Sequence, residues 1–172
     1  MMAGIPMYQA SIATLTRSLK ILDTILAKGA AHAEAHKIDP AVLIGSRLYP
    51  DMFALARQVQ VATDTAKGCA ARLAGVETPK FEDTETTFPE LSARIAKTID
   101  FLASVRPEQI DGSEHREIVL KLGKHAITFD GQAYLLNFVL PNFYFHVTTA
   151  YDILRHCGVE VGKMDFLGSL SA

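Results

Sequence analysis

The chain has 172 residues, 49% of them apolar, enough to enclose one substantial core and too few for a second, so a single domain over residues 1–172 is expected. Its 17 basic and 19 acidic residues are interspersed and sum to a net charge of −2, which excludes the basic footprint of a protein built for nucleic acid or anionic membranes. No apolar run reaches the roughly 18 residues that a membrane span needs, so the expected partner is a small molecule or another protein.

The opening stretch MMAGIPMYQASIATLTRSLK lacks the basic region and unbroken apolar run of a secretory leader, and none is expected. Within and beyond it, Tyr8, Ile12, Leu15, Leu19, Leu22 and Leu26 recur in steps of four and three, which predicts a long helix with one apolar stripe, interrupted at Gly29. Next comes GAAHAEAHKID, with His32 and His36 one helical turn apart, the spacing of a two-imidazole metal chelate. No apolar stripe turns either ring inward, and HAEAH lacks the glutamate that an HExxH site carries directly after its first histidine. A solvated helix surface is the expectation for this pair.

Asp39 and Pro40 read as the cap and first residue of a short connector helix, PAVLIGSRLY. Pro50 and Asp51 are expected to open, and Gly75 to close, a second long helix whose stripe is Met52, Leu55, Val59, Ala62, Ala66, Cys69 and Leu73. Gln58 stands on the flank of that stripe, and Gln60 at a less inward angle. An acidic connection without a clear period, GVETPKFEDTET, leads to Thr87-Phe88-Pro89-Glu90, a capping-box pattern. The third helix follows with Leu91, Ile95, Ile99 and Leu102 inward, ending near Pro107.

From His115 to Phe129 the pattern becomes alternating, EIVLKL and AITF around Gly123-Lys124, which predicts a hairpin that must lean on the helices. Asp130 and Gly131 then begin the last helix, which runs to Gly158. Four amphipathic helices joined by connections that allow antiparallel neighbours make an all-α protein. Its architecture is a four-helix bundle with a short connector helix and a small β-hairpin before the last helix.

On the last helix the inward stripe is Leu136, Val139, Phe143, His146, Ala150, Ile153 and Cys157. His146 therefore takes a core position, where an unpaired polar group costs on the order of a few kcal/mol, so it needs a hydrogen-bond partner, a water or a metal. Asn142, one turn earlier, and Gln58 on the second helix are the nearest candidates. Pro141 removes an amide donor just before this polar pair and should kink or restart the helix. A second apolar strip, Tyr134, Phe138 and Phe145, must be covered by the hairpin or by a second subunit, and a homodimer is expected. Cys69 and Cys157, far apart in apolar-periodic segments, read as reduced core thiols rather than nucleophiles, which favours the cytoplasm. No GxGxxG, P-loop or nucleophile-elbow motif is present.

The block LPNFYFHVTTAYDILRH, with PDMFALARQVQ and KFEDTETTF upstream, resembles a bacterial family of unknown function, number one-nine-nine-three among such families. That family is similar in fold to the DinB-like superfamily of proposed metalloenzymes, and the resemblance runs from Tyr8 to about Gly168. It implies a DinB-like bundle. Superfamily members typically hold nickel or zinc through three histidines, one on the second helix and two in an HxxxH pair on the fourth. Some are thiol transferases or thiol-dependent isomerases, and many are dimers. His146 matches the second histidine of the pair, Asn142 stands at the first, and Gln58 falls at the second-helix position by helix phase.

Carboxamide oxygens are poor nickel or zinc ligands beside imidazole, so the resemblance implies a degenerate metal site. The leading expectation is a bundle that binds a small ligand in a polar pocket lined by Gln58, Asn142 and His146, with catalytic residues unassigned and no cofactor required. The alternatives are a thiol transferase dependent on a divalent nickel or zinc ion held by His146, and a structural dimer without ligand.

Overall fold

The computed structural model describes residues 4–170, apart from the Leu122 side chain, so the outermost positions of the expected domain lie outside it. Helix α1 (Thr14–Ala35) follows one wide turn, Gln9–Ala13, in π geometry. Ile12, Leu15, Leu19, Leu22 and Leu26 of its predicted stripe are buried. Gly29 does not interrupt the helix. A Cβ there would stand 3.0 Å from Leu154 Cδ2 and 3.2 Å from the Phe88 ring, so the bare glycine lets two other elements pack close to α1. The helix ends instead at Ala35, and just beyond it the Lys37 φ of 55° lets the Ile38 N–H reach the Ala33 carbonyl at 2.9 Å.

Helix α2 (Pro40–Gly45) is capped by the Asp39 carboxylate, which accepts the Ala41 N–H at 2.9 Å. Helix α3 (Leu55–Ala74) starts later than Pro50 and Asp51 suggest. The Met52 N–H bonds the Tyr49 carbonyl and the Leu55 N–H bonds the Ser46 carbonyl, so these residues close a turn, and α3 begins without a side-chain cap. From Leu55 to Leu73 the predicted stripe is buried, and Gly75 closes the helix at φ 70°. Helix α4 (Phe88–Ser104) has the predicted reciprocal cap. Thr87 Oγ1 accepts the Glu90 N–H, and the Glu90 carboxylate accepts the Thr87 N–H at 3.0 Å.

After the short α5 (Pro107–Ile110), strands β1 (Glu117–Leu122) and β2 (His125–Asp130) pair antiparallel, from Glu117 opposite Asp130 to Leu122 opposite His125. Ile118 and Leu120 are buried, and Phe129 packs on Tyr134 and Phe138. The hairpin therefore covers two members of the second apolar strip. The third, Phe145, is 55% exposed.

The last helical run is α6 (Gly131–Tyr134), a second π turn (Leu135–Val139) and α7 (Leu140–His156), followed by α8 (Lys163–Leu167). The π turn sits just before Pro141 and absorbs the amide that proline lacks. It also inserts one residue into the turn and shifts the phase upstream. Leu135 is buried, whereas Leu136, expected inward, is half exposed.

Side-chain pairs fix the helix directions. Ser18 meets Tyr144 and Gly29 meets Leu154, so α1 and α7 run parallel, while Gly29 against Phe88 makes α4 antiparallel to α1. Gln58 with His146 and Thr65 with Asn142 make α3 antiparallel to α7. Helices α3 and α4 are then parallel, which corrects the expectation that chain neighbours alternate. Residues 75–87 must return along the whole length of α3. That helix of 20 residues is about 30 Å long, a span the connection covers at about 3.3 Å per extended residue.

Candidate functional site

The return segment is held to α3 by charge. Phe81 lies under Lys67 (4.1 Å from Nζ to ring centroid) and Lys97 (4.2 Å), Asp83 pairs with Arg57, and Glu85 accepts the Gln60 amide at 3.0 Å. Arg94 is the hub, its side chain only 1% exposed. Its Nε donates to Thr63 Oγ1 at 2.7 Å, Nη1 to the Glu82 carbonyl and Glu85, and Nη2 to Asp64, while Asp83 forms an ion pair with Nη2 at 3.0 Å. All three guanidinium nitrogens thereby donate. Gln60, the lesser site candidate, belongs to this clamp and faces away from His146.

Gln58 and His146 meet across the α3–α7 interface. His146 Nδ1 lies 2.6 Å from Gln58 Oε1, and the Gln58 Nε2 donates to the Phe53 carbonyl at 3.0 Å. The second bond fixes the amide orientation, so Oε1 is an acceptor and His146 Nδ1 carries the proton. Burial, and then the nearby Arg57 guanidinium, push the His146 pKa below its ordinary value of 6.5. The ring at neutral pH is therefore uncharged, with a lone pair on Nε2. That atom has no hydrogen-bond partner among the described residues. Among the described residues, the fully buried polar side-chain atoms without one are Asp23 Oδ1 and Ser113 Oγ, so Nε2 is not sealed from solvent.

Around this ring stand two exposed aromatics. Phe145 meets it edge-on at 5.1 Å, and Phe53, 51% exposed, lies nearly parallel to it at 6.5 Å. The Arg57 guanidinium sits 5.6 Å from the Phe53 centroid. Periodicity does not single out Phe53 or Arg57, because Phe53 lies in the turn before α3 and Arg57 is half exposed beside Gln58, while Phe145 reads only as part of the second apolar strip. Asn142 is not in the pair. Its amide donates to Thr65 Oγ1 at 2.8 Å, one turn further along the same interface. Asp51 lies in the turn before α3 and is exposed.

The donor set does not fit a nickel or zinc ion of the three-histidine kind. One imidazole faces a carboxamide already spent on it, and the neighbouring carboxamide is bonded to a threonine. Among the described residues, no group of three or more His, Cys, Asp and Glu side chains is placed to hold a metal. Cys69 is not a nucleophile either, since burial pushes its thiol up to about 12.

A depressed histidine pKa makes stability depend on pH in a defined direction. Above 6.5 both folded and unfolded chains hold the ring neutral. As pH falls below 6.5 the unfolded chain takes up a proton that the folded site refuses, so stability drops until the folded pKa is reached. Urea midpoints of wild type and His146→Leu, measured from pH 8 downward, should diverge in slope below 6.5, wild type falling faster. Parallel curves would refute the assigned neutral ring.

Residues 7–167 match the profile of the family described as Domain of unknown function (DUF1993). The fold matches a crystal structure of a DinB family member protein from Shewanella denitrificans, with a TM-score of 0.87 and 41% sequence identity over 96% of this chain and 93% of that one. No curated protein matches.

Proposed function

The chain belongs to the DUF1993 family, and from its site we propose that it is a DinB-type bundle that binds a small polar ligand at His146 rather than a metal ion. The observation that carries this reading is the bond of 2.6 Å between His146 and Gln58. It holds the ring in one tautomer and leaves Nε2 as an acceptor for an O–H or N–H of the ligand. Phe53 and Phe145 supply apolar surface beside the ring, and the nearby Arg57 favours groups of negative or neutral charge. Asn142 joins the ligand only by exchanging its bond to Thr65.

The test is a thermal-shift screen of small phenols, amides and carboxylic acids on protein purified without a histidine tag. Hits should raise the melting temperature, perturb the His146 ring resonances, and lose their effect in the Gln58→Leu, His146→Leu double variant. Shifts that survive the double variant would discredit the site. Elemental analysis of the same preparation decides against the thiol-transferase alternative or for it: stoichiometric nickel or zinc that disappears in His146→Gln would replace this reading with that one.

A further inference from the structure

We propose that the C-terminal end of α1 is a separate binding site for a divalent transition ion of the nickel or zinc class, held by Nε2 of His32 and Nε2 of His36. The two rings leave the helix on the same side and stack, with centroids 4.1 Å apart and planes 29° apart. His36 Nδ1 donates to the His32 carbonyl at 2.9 Å. A nitrogen facing a carbonyl must carry the proton, so His36 Nε2 is left as a lone pair, and the same kind of contact orients metal-bound histidines generally.

His36 is exposed and His32 partly so, as the sequence context suggests, but the pair also borders a concave surface. It forms one wall of a cleft of about 460 Å³, and the turn Gly158, Val159, Glu160 forms the other. Gly158 has φ 90°, and a Cβ there would already touch His32, at 3.8 Å from Cε1 and 3.9 Å from Nε2. The bare glycine leaves that edge of the ring uncovered. The local field also favours a cation. His32 lies in the final turn of a helix of 22 residues and His36 caps its end, where the helix carbonyls carry partial negative charge, and Glu160 adds a carboxylate across the cleft. Lys28, which also borders the cleft, is neutralised by Asp165 at 2.7 Å.

Imidazole nitrogen selects nickel and zinc over magnesium and calcium, and with two protein donors the remaining positions are filled by water. The site is therefore open and exchangeable, and it shares no residue with the α3–α7 interface. Its test is a calorimetric titration of the untagged chain with nickel(II) chloride at slightly alkaline pH, followed in parallel by NMR of the histidine ring protons. One ion per chain is expected, broadening His32 and His36 first. Affinity should fall roughly tenfold or more in His32→Ala and in His36→Ala, whose circular dichroism should remain that of wild type, and should be unchanged in His146→Gln. Absence of nickel binding by wild type, wild-type affinity in both α1 variants, or loss of binding in His146→Gln would each overturn the proposal. None of these readings depends on whether a small ligand binds at His146.

Discussion

Replacing Arg94 by leucine is expected to lower the unfolding free energy by about 3 kcal/mol and to loosen the segment that returns along α3. The size follows from what is left behind. Glu85, Asp83 and Asp64 lose their shared cation, and the Thr63 hydroxyl and Glu82 carbonyl lose a donor. The figure sits at the low end for a broken buried pair because Asp64 and Asp83 are 38% exposed and can be rehydrated. Arg94→Lys should recover only part of the loss, since an ammonium cannot span these five oxygens. Urea denaturation measures the energy, and limited proteolysis within residues 76–86 measures the release. A loss below about 1 kcal/mol, or unchanged proteolysis, would contradict the clamp. The same variant reaches the candidate site, because Asp83 also pairs with Arg57, beside Gln58.

A comparable loss, about 3 kcal/mol, is expected for Gly131→Ala, although alanine is the better helix former. Gly131 joins β2 to α6, and a Cβ there would overlap the Ser113 carbonyl oxygen while touching Leu73 Cδ2 at 3.4 Å. The atom in the way is backbone, held by the Arg116 N–H at 3.0 Å, so the loop before the hairpin would have to move as a unit. Gly45→Ala is the matched control. Nothing lies within 4 Å of a Cβ there, and the change should be neutral or mildly stabilising. Equal melting temperatures for the two variants would refute the steric account.

Local rules of the chain reached far into this fold. The stripes of α1, α3 and α4, the Thr87–Glu90 cap, the Asp39 cap and the hairpin around Gly123-Lys124 all follow from side-chain period and terminus chemistry. Where those rules misplaced something, a longer-range contact had overridden them. Gly29 reads as a breaker in isolation and is a close-approach residue in context, because Leu154 and Phe88 arrive from elsewhere in the chain. Leu136 reads as inward on a uniform period of 3.6, but the π turn before Pro141 adds a residue and hands that position to Leu135.

The candidate site divides the same way. Helix phase alone put His146 in the core and Gln58 toward it, since both sit at or beside apolar stripes. Phase could not say which carboxamide would reach the ring, because a side-chain amide chooses among partners within a few ångströms, and Asn142 found Thr65. Nor does any local pattern announce Arg94, a charge on a buried face whose acid partners are spread over two other segments.

By itself, then, the sequence determined the elements, their inward faces and the polar residue in the core, because these depend on neighbours within a turn or two of the chain. Only the tertiary structure decided the parallel run of α3 and α4, the pairing of each buried polar group, and the cleft in which His32 and His36 face Glu160. Those features depend on distances between segments far apart in sequence, which helical periodicity does not encode.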